Sequence, residues 1–549
     1  MAHKKPTQAN IDTVLQAADG IIRAHVKKLG PLAGLAVGIV HHGELVYTYN
    51  SGFADIKHGT PITSDTVFRI MSISKTFTAV ALMQLWEQGK FQLDDPVNLH
   101  LKAIRVEHPD LNAPPITIRH LLTHTSGIGE LRKVEPHWLL RPELIVMEDL
   151  SVRDFDQVQP LPTYYAGKLS AEIYPGVKWC YCNHAFGVLG QLVADLSGQS
   201  FEQYVIEQIF QPLGMTKSDL FLSDIVRDRL ATGYMFEKNG FRTVEDKIGY
   251  QHVVTAGASN IYSSVNDMLY YVAALMNGGA NQNGRILQPE TLAMMFEPHF
   301  QLDPRLPGQG LAFFLRDLGG HRTVGHGGGW PGFISRMLVA PDDGLALLVF
   351  TNTSNGAPGQ IATDLLRRLL DLPDPIAALP QSEIAEQPHL WGEICGHYGP
   401  TPGFNTNFRH WSGMGAAVEI FVDGNHLAAR SPEGLFKQPV QLHPADDDDP
   451  LAFAAVVNDN VQKIVFKRNA GGYIERLQME MMDFHKQTLP TQQPLVQAVQ
   501  EVQSQVQQRR ARLVFWYMQG MPNKLKVLGR IILALVALRL LWRKRSTPP

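Results

Sequence analysis

Cysteine is scarce in this sequence: its 549 residues include three, Cys180, Cys182 and Cys395. Such a small, odd number excludes a fold that depends on a framework of disulfide bonds. Cys180 and Cys182 lie two positions apart, but no cluster of cysteine and histidine with zinc-ligand spacing accompanies them. We therefore expect small packing residues at these positions, and we expect no metal site.

A large charge excess is also missing. The formal net charge is −3, which gives no reason to expect a nucleic-acid partner. Lys4 and Lys5 near the N-terminus are not followed by an apolar run, so we predict no signal peptide and a cytoplasmic location. The charge is nevertheless uneven. From Glu501 onwards there are ten Lys or Arg residues and one acidic residue, or +9, which leaves −12 on the first 500 residues.

Hydrophobic patterning predicts an α+β fold in the first part of the chain. Residues 10–29 are typical of an amphipathic helix, and two pairs of β-rich runs lie far apart, Gly34–Val40 with Glu44–Asn50 and Phe333–Ala340 with Leu345–Asn352. Turn sequences join the members of each pair, and a long, mostly helical stretch separates the pairs. We predict one antiparallel sheet built from both ends of a domain, flanked by helices, with a mostly helical region inserted.

Two further segments follow this domain, to which we assign residues 10–372. The stretch after Leu372 is rich in proline and indicates a linker. Residues 388–486 contain short alternating runs separated by turn sequences, which predicts a small β domain of barrel type. Residues 495–549 are polar at first and then basic and apolar, and we predict a helical tail there.

A candidate nucleophile opens the most hydrophobic helix of the first domain. Residues Thr76–Trp86 are apolar on nearly every face, which indicates a buried helix. Ser72 lies at its expected N-terminus, and Lys75 lies three residues on, within reach on the same face. The helix dipole disfavours a cation at this end, so we expect the pKa of Lys75 to be lowered, as suits a base near neutral pH. The alternative is that Ser72 is an ordinary helix cap.

Two other short motifs carry polar side chains that can serve a site. Tyr181-Cys182-Asn183 follows a turn and precedes a helical pattern, so Tyr181 can reach a cleft or be an ordinary half-buried tyrosine. His326-Gly327-Gly328-Gly329 leads into the second pair of strands, where glycines allow a substrate backbone to approach closely.

Taken together, these residues resemble the serine β-lactamase and penicillin-binding-protein superfamily, in its class C-like branch. Ser72-Ile-Ser-Lys75 matches the first motif and Tyr181-Cys-Asn183 the second, and His326-Gly-Gly328 takes the place of the third, which is usually Lys-Thr-Gly in β-lactamases. Leu121-Leu-Thr-His-Thr-Ser-Gly127 resembles a phrase frequent in this branch. The resemblance covers roughly residues 15 to 370.

The resemblance implies a catalytic role for each motif. Ser72 attacks a carbonyl and forms an acyl-enzyme, while Lys75 and Tyr181 exchange the proton, with either as the base. Asn183 binds a substrate amide, and the backbone N–H groups of Ser72 and Gly329, just after Gly328, form the oxyanion hole. No metal or organic cofactor is needed.

The third motif departs from that of β-lactamases. A lysine there carries a permanent charge, whereas histidine at its usual pKa of about 6.5 is mostly neutral at pH 7. We therefore predict a serine hydrolase that acts on an ester or a D-amino-acid amide or peptide, and a loss of activity below about pH 6 if His326 must be neutral. The alternatives are β-lactamase or DD-carboxypeptidase activity, or a membrane-associated scaffold of the same fold with little catalysis. The substrate itself and the oligomeric state stay open.

The basic tail predicts contact with a membrane surface. Residues 513–545 combine most of the +9 charge with apolar runs, and Val527–Trp542 has 16 residues. As a helix this run is about 24 Å long, which is short for a hydrocarbon core of about 30 Å. A tilted span and a helix lying in the interface are both open.

Overall fold

The computed structural model describes residues 5–130, 150–153, 157–238, 240–248, 252–377, 379, 388–400, 417–432, 434–445, 449–457 and 460–487. Its helices are α1 Gln8–Leu29, α2 Ser74–Glu87, α3 Ile118–Leu122, α4 Leu161–Tyr164, α5 Asn183–Ser197, α6 Phe201–Val205, α7 Gln211–Leu213, α8 Asp224–Arg227, α9 Val244–Ile248, α10 Ala256–Ser259, α11 Val265–Met276, α12 Pro289–Met295, α13 Ala357–Leu369 and α14 Pro388–Ile394. A π-helical turn, Ile206–Phe210, joins α6 to α7.

The strands of the first part of the chain are β1 Gly34–His41, β2 Glu44–Asp55, β3 Thr60–Pro61, β4 Phe68–Arg69, β5 Arg105–Glu107, β6 Ser151–Val152, β7 Lys168–Ser170, β8 Tyr234–Glu237, β9 Gly240–Thr243, β10 His252–Val253, β11 Tyr262–Ser263, β12 Gly308–Gln309, β13 Phe314–Leu318, β14 His321–Trp330, β15 Phe333–Ala340 and β16 Leu345–Thr351. The later strands are β17 Gly396–Pro400, β18 Val418–Asp423, β19 His426–Arg430, β20 Val440–Pro444, β21 Ala452–Val457, β22 Asn460–Arg468, β23 Ile474–Met479 and β24 Met482–Gln487.

An eight-stranded antiparallel sheet organises the first part of the chain, in the order β12-β13-β14-β15-β16-β1-β2-β3. The early strand β1 pairs with the late strand β16 from Leu35↔Thr351 to His41↔Leu345. Both predicted hairpins are therefore present and adjacent. The prediction of one antiparallel sheet made from the two ends of the domain is confirmed, and most of the helices lie in the insertion between them.

The sheet is covered on both faces, which explains why β1 is buried along nearly its whole length. Leu35, Val37 and Ile39 face a core shared with α1 and α13, while Ala36 and Val40 belong to the larger core under the inserted helices. The amphipathic helix α1 places Ile11, Val14, Ala18 and Ile22 in the first of these cores. Helix α2 lies in the second, as its even hydrophobicity predicts.

Strands β17 to β24 close into a barrel with a core of its own, which includes Tyr398, Phe436 and Phe466. The prediction of a small C-terminal β domain of barrel type is confirmed. Ion pairs connect the barrel to the first part of the chain. Arg316 of β13 donates two hydrogen bonds to Glu480, in the turn between β23 and β24, at 2.9 and 2.7 Å.

The domain boundaries at 372, 388 and 486 stay predictions. The predicted tail, residues 495–549, lies outside the described residues. Within the described ranges no helix is both long enough and apolar enough to cross a bilayer. No cluster of three or more potential metal ligands occurs in those ranges either.

Candidate active site

Ser72 lies in a tight turn that immediately precedes α2. Residues Met71–Ile73 form a 3₁₀ turn, and neither this turn nor α2 has a side-chain cap at its N-terminus, so Ser72 is not a helix cap. Met71 adopts a φ of 50°, a conformation that costs a residue with a side chain about 1–2 kcal/mol. Ser72 is partly exposed whereas Met71 and Ile73 are buried, so the turn presents the serine hydroxyl at the surface of the core.

Lys75 is fully buried and its ammonium group has three acceptors. Its Nζ lies 3.0 Å from Ser72 Oγ, 2.7 Å from Asn183 Oδ1 and 3.0 Å from the carbonyl oxygen of Ala258 in α10. An ammonium carries three N–H donors, so the charged form is fully hydrogen-bonded. A neutral amine has two donors and one lone pair, which needs a donor. Of these three partners, the oxygens of Asn183 and Ala258 can only accept, whereas the Ser72 hydroxyl can also donate.

This geometry identifies the route that a proton can take. Loss of a proton from Lys75 is accommodated when the Ser72 O–H turns towards Nζ, which is the starting arrangement for removing the serine proton during attack. The spacing of three residues thus brings the Ser72 hydroxyl and the Lys75 amine within reach of a proton transfer.

Tyr181 lies beside Lys75, which is 4.9 Å from the centroid of its ring. The ring of His124 stacks on Tyr181 with centroids 4.3 Å apart and an interplanar angle of 28°. His124 also accepts a hydrogen bond from the Cys182 N–H at its Nδ1, at 3.1 Å, and from the Cys180 N–H at its carbonyl, at 2.7 Å. Three contacts from one buried residue thus hold the short segment that carries Tyr181.

Asn183 begins α5 and has both ends of its amide engaged. Its Oδ1 accepts from Lys75, and its Nδ2 donates to Glu130 Oε1 at 2.7 Å. Its backbone N–H, in the first turn of α5, donates to Glu130 Oε2 at 3.2 Å. The amide keeps one N–H and one oxygen lone pair beyond these bonds, so the role in substrate binding expected for Asn183 stays a prediction.

His326 lies on β14 and closes the other side of the site. It is 2% exposed, its ring centroid is 6.2 Å from that of Tyr181, and its Nδ1 donates to the Gly327 carbonyl oxygen at 2.6 Å. The pKa of His326 is lowered to about 3, chiefly by burial and secondly by the positive charge of Lys75. The side chain is therefore neutral, with Nε2 as an acceptor. This corrects the expectation that its protonation lowers activity below about pH 6, which assumed the usual pKa of histidine.

Gly328 brings the third motif against the nucleophile turn. A Cβ at this position would lie 2.1 Å from the Ile70 carbonyl oxygen and 2.4 Å from Ser335 Oγ, and Ser335 itself donates to Ile70 at 2.8 Å. Strand β13 pairs with β14 only as far as Gly325, so in the described part of the chain residues 326–330 pair on one side, with β15. Gly329 lies on this stretch and is exposed.

The structure brings all three predicted motifs to one place, with Lys75 within hydrogen-bonding distance of Ser72 and Asn183 and next to Tyr181. Sequence reasoning assigned no role to His124, Glu130 or Arg336. His124 lies inside the phrase Leu121–Gly127, which was a signal for it. Glu130 and Arg336 had no such signal. Arg336 pairs with Gly327 across β14 and β15, and its buried Nε has no hydrogen-bond partner among the described residues.

Comparisons with known proteins agree with this geometry. Esterase EstB of Burkholderia gladioli is 29% identical over 390 residues, covering 64% of this chain and 93% of that protein. The D-aminopeptidase of Brucella anthropi is 26% identical over 328 residues, covering 59% of this chain and 57% of that protein. The structure of an octameric penicillin-binding protein homologue from Pyrococcus abyssi aligns with a TM-score of 0.54 at 22% identity, covering 86% of this chain and 99% of that one. At that identity the likeness concerns the fold.

A profile of the beta-lactamase family matches residues 22–372, more than half of the chain. This range includes Ser72, Lys75, Tyr181, Asn183 and His326. The predicted resemblance to the serine β-lactamase and penicillin-binding-protein superfamily is confirmed, and so is the predicted fold. The chain belongs to the beta-lactamase family and is a serine hydrolase.

Proposed function

We propose that this hydrolase cleaves an ester, or an amide or peptide of a D-amino acid, through an acyl-enzyme on Ser72. The observation that carries the proposal is the contact between Lys75 Nζ and Ser72 Oγ, 3.0 Å apart, since the hydroxyl can both accept from and donate to this nitrogen. The names of the relatives, an esterase and a D-aminopeptidase, support the same two substrate classes.

In the proposed reaction Ser72 Oγ attacks the substrate carbonyl carbon while its proton passes to Lys75 or to Tyr181. The oxyanion that forms is bound by the backbone N–H groups of Ser72 and Gly329. The leaving alcohol or amine takes up the proton, and water then releases the acid from Ser72 by the reverse sequence. The reaction draws on side chains and backbone groups of this chain alone.

The neutral third motif favours these substrates over β-lactam antibiotics. The pKa of His326, lowered to about 3 chiefly by burial, leaves no charge on this side chain for the carboxylate of a β-lactam. Its Nε2 is instead a hydrogen-bond acceptor. An acceptor at this place suits a substrate that offers an N–H or O–H group there.

The test is labelling and turnover of the full chain. A fluorophosphonate and a fluorescent penicillin are followed by mass mapping, together with a chromogenic ester and a D-amino-acid anilide as substrates. We expect the fluorophosphonate to modify Ser72, and Lys75→Ala and Tyr181→Phe to lower turnover by roughly 10²–10⁴-fold, as is typical of general acid–base partners. Turnover that is unchanged in Ser72→Ala contradicts the proposal. Efficient penicillin turnover with none of the ester or the anilide reassigns the substrate class.

We also propose that residues 513–545 attach the protein to anionic membrane surfaces. The support is their composition: basic residues next to apolar runs, each basic residue near such a surface contributing about 1 kcal/mol. Co-sedimentation with anionic vesicles at low salt is measured for the full chain and for a truncation after Val499. Equal recovery of both in the supernatant contradicts the idea. Release by high salt indicates a surface helix, and retention until detergent is added indicates insertion.

A further inference from the structure

Glu130 is buried beside Asn183, the residue whose amide oxygen contacts Lys75. Its side chain is 1% exposed, and its two oxygens accept the N–H groups of Asn183, one from the side-chain amide and one from the backbone. Asn183 is 7% exposed and Lys75 is fully buried. The three residues thus form a buried chain in which a carboxylate, an amide and an ammonium follow one another, ending at Ser72.

Chemistry permits a single orientation of the amide in this chain. A carboxylate accepts hydrogen bonds and an ammonium donates them, so the Nδ2 group of Asn183 must face Glu130 and its oxygen must face Lys75. Without the carboxylate, a turn of the amide by 180° would direct two N–H donors at the Lys75 ammonium and break the shortest of its three hydrogen bonds. Glu130 and the Lys75 ammonium therefore favour the same orientation of Asn183.

We propose that Glu130 is a positioning residue of this active site: it orients the Asn183 amide so that Lys75 is held against Ser72, and its charge sets the pH range in which the Ser72 proton can be removed. This inference rests on the proposed function. It goes beyond it because Glu130 belongs to none of the three motifs and is joined to Lys75 through the Asn183 side chain.

The charge of Glu130 has a definite effect on its neighbours. The groups near Lys75 include the Ser72 hydroxyl from the turn before α2, Tyr181 from the segment before α5, and His326 from β14. His124 stacks on Tyr181, and the charge of Arg336 acts on His326. A negative charge close to Lys75 and Tyr181 disfavours the loss of a proton from either of them. Neutralising Glu130 must then move the acid limb of Ser72 reactivity to lower pH, whichever of the two is the base.

The experiment compares the rates at which a fluorophosphonate modifies Ser72 between pH 5 and pH 10. The proteins are the full-length wild type, Glu130→Gln, Glu130→Asp and the matched control Glu202→Gln, which replaces a half-buried carboxylate at the start of α6. For Glu130→Gln we expect the pH at which the labelling rate is half-maximal, on the acid side of the profile, to decrease by about one to two units. This is the effect of removing one charge at an effective dielectric constant of about 20. For Glu130→Asp, which keeps the charge but shortens the side chain, we expect the midpoint of the wild type and a plateau about 10–100-fold lower. Glu202→Gln should behave as the wild type.

Each outcome is decisive. A profile of Glu130→Gln that superimposes on the wild type overturns the inference, even though Ser72 is still labelled and the proposed function stands. Labelling of another residue, with equal labelling in Ser72→Ala, overturns the proposed function and this inference with it. If Glu130→Gln does not fold, as judged by its thermal melt, Glu130→Asp decides alone. A plateau at least tenfold below the wild type supports the positioning role, and a wild-type plateau overturns it.

Discussion

Replacement of Gly328 by alanine is the perturbation whose consequences the structure specifies most closely. The added Cβ would lie 2.1 Å from the Ile70 carbonyl oxygen, about 0.9 Å short of the 3.0 Å below which real contacts essentially never occur. The obstacle is backbone, two residues before Ser72, so rotation of a side chain cannot relieve the clash. Either β14 or the nucleophile turn has to move by roughly 1 Å. We expect Gly328→Ala to lose about 10²-fold in kcat/KM, the effect of a displacement of that size on reacting groups, and about 1–3 kcal/mol of stability.

The assay is turnover of a chromogenic ester, measured beside urea unfolding. Two glycine variants serve as controls. A Cβ at Gly327 meets nothing closer than 3.5 Å, so the free energy of unfolding of Gly327→Ala should lie within about 1 kcal/mol of the wild-type value. A Cβ at Gly359, inside α13, has no atom within 4 Å, so Gly359→Ala should be more stable by about 0.5–1 kcal/mol and fully active. Wild-type turnover and stability in Gly328→Ala would refute the argument that the third motif is packed directly against the nucleophile turn.

Three further predictions concern single residues. The pKa of His326 is lowered to about 3, chiefly by burial, so the unfolded chain takes up the extra proton first as the pH falls. The free energy of unfolding should therefore decrease by about 1.4 kcal/mol per pH unit below about pH 6.5. In urea titrations His326→Gln should show a weaker pH dependence of this free energy, and an equally steep dependence contradicts the pKa shift. Arg336 brings a cation close to the third motif, since a Cβ built at Gly327 would lie 3.7 Å from Arg336 Nη1. Arg336→Gln should therefore raise KM for a peptide with a free C-terminal carboxylate and leave KM for a neutral ester unchanged; equal effects, or the same effect in the exposed control Arg322→Gln, would argue against this. Met71 has a φ of 50°, a conformation that glycine adopts without the cost that a side chain adds. In thermal unfolding Met71→Gly should therefore be less destabilising than Met71→Ala by about 1 kcal/mol. The reverse order would show that the turn is unstrained.

The sequence by itself determined the parts of the protein that depend on local pattern. The helical period of hydrophobic residues placed α1, and β-rich apolar runs joined by turn sequences placed the two hairpins. A segment that is apolar on nearly every face placed the buried helix α2. Ser72 and Lys75 were predictable as a pair for the same reason, since residues three apart share a helical face. The order of the three motifs identified the family, and turn sequences between short runs indicated the barrel.

The tertiary structure alone decided the properties that depend on residues far apart in the chain. Glu130 and Asn183 are 53 positions apart, and the contact of Gly328 with Ile70 joins two ends of the domain. A local sequence pattern therefore predicts neither contact. The error about His326 has the same origin: its pKa depends on burial and on the charge of Lys75, 251 positions away, and neither is visible in the residues next to it. Sequence thus named the groups that can react, while packing decided their orientation, their charge and the side chains that hold them in place.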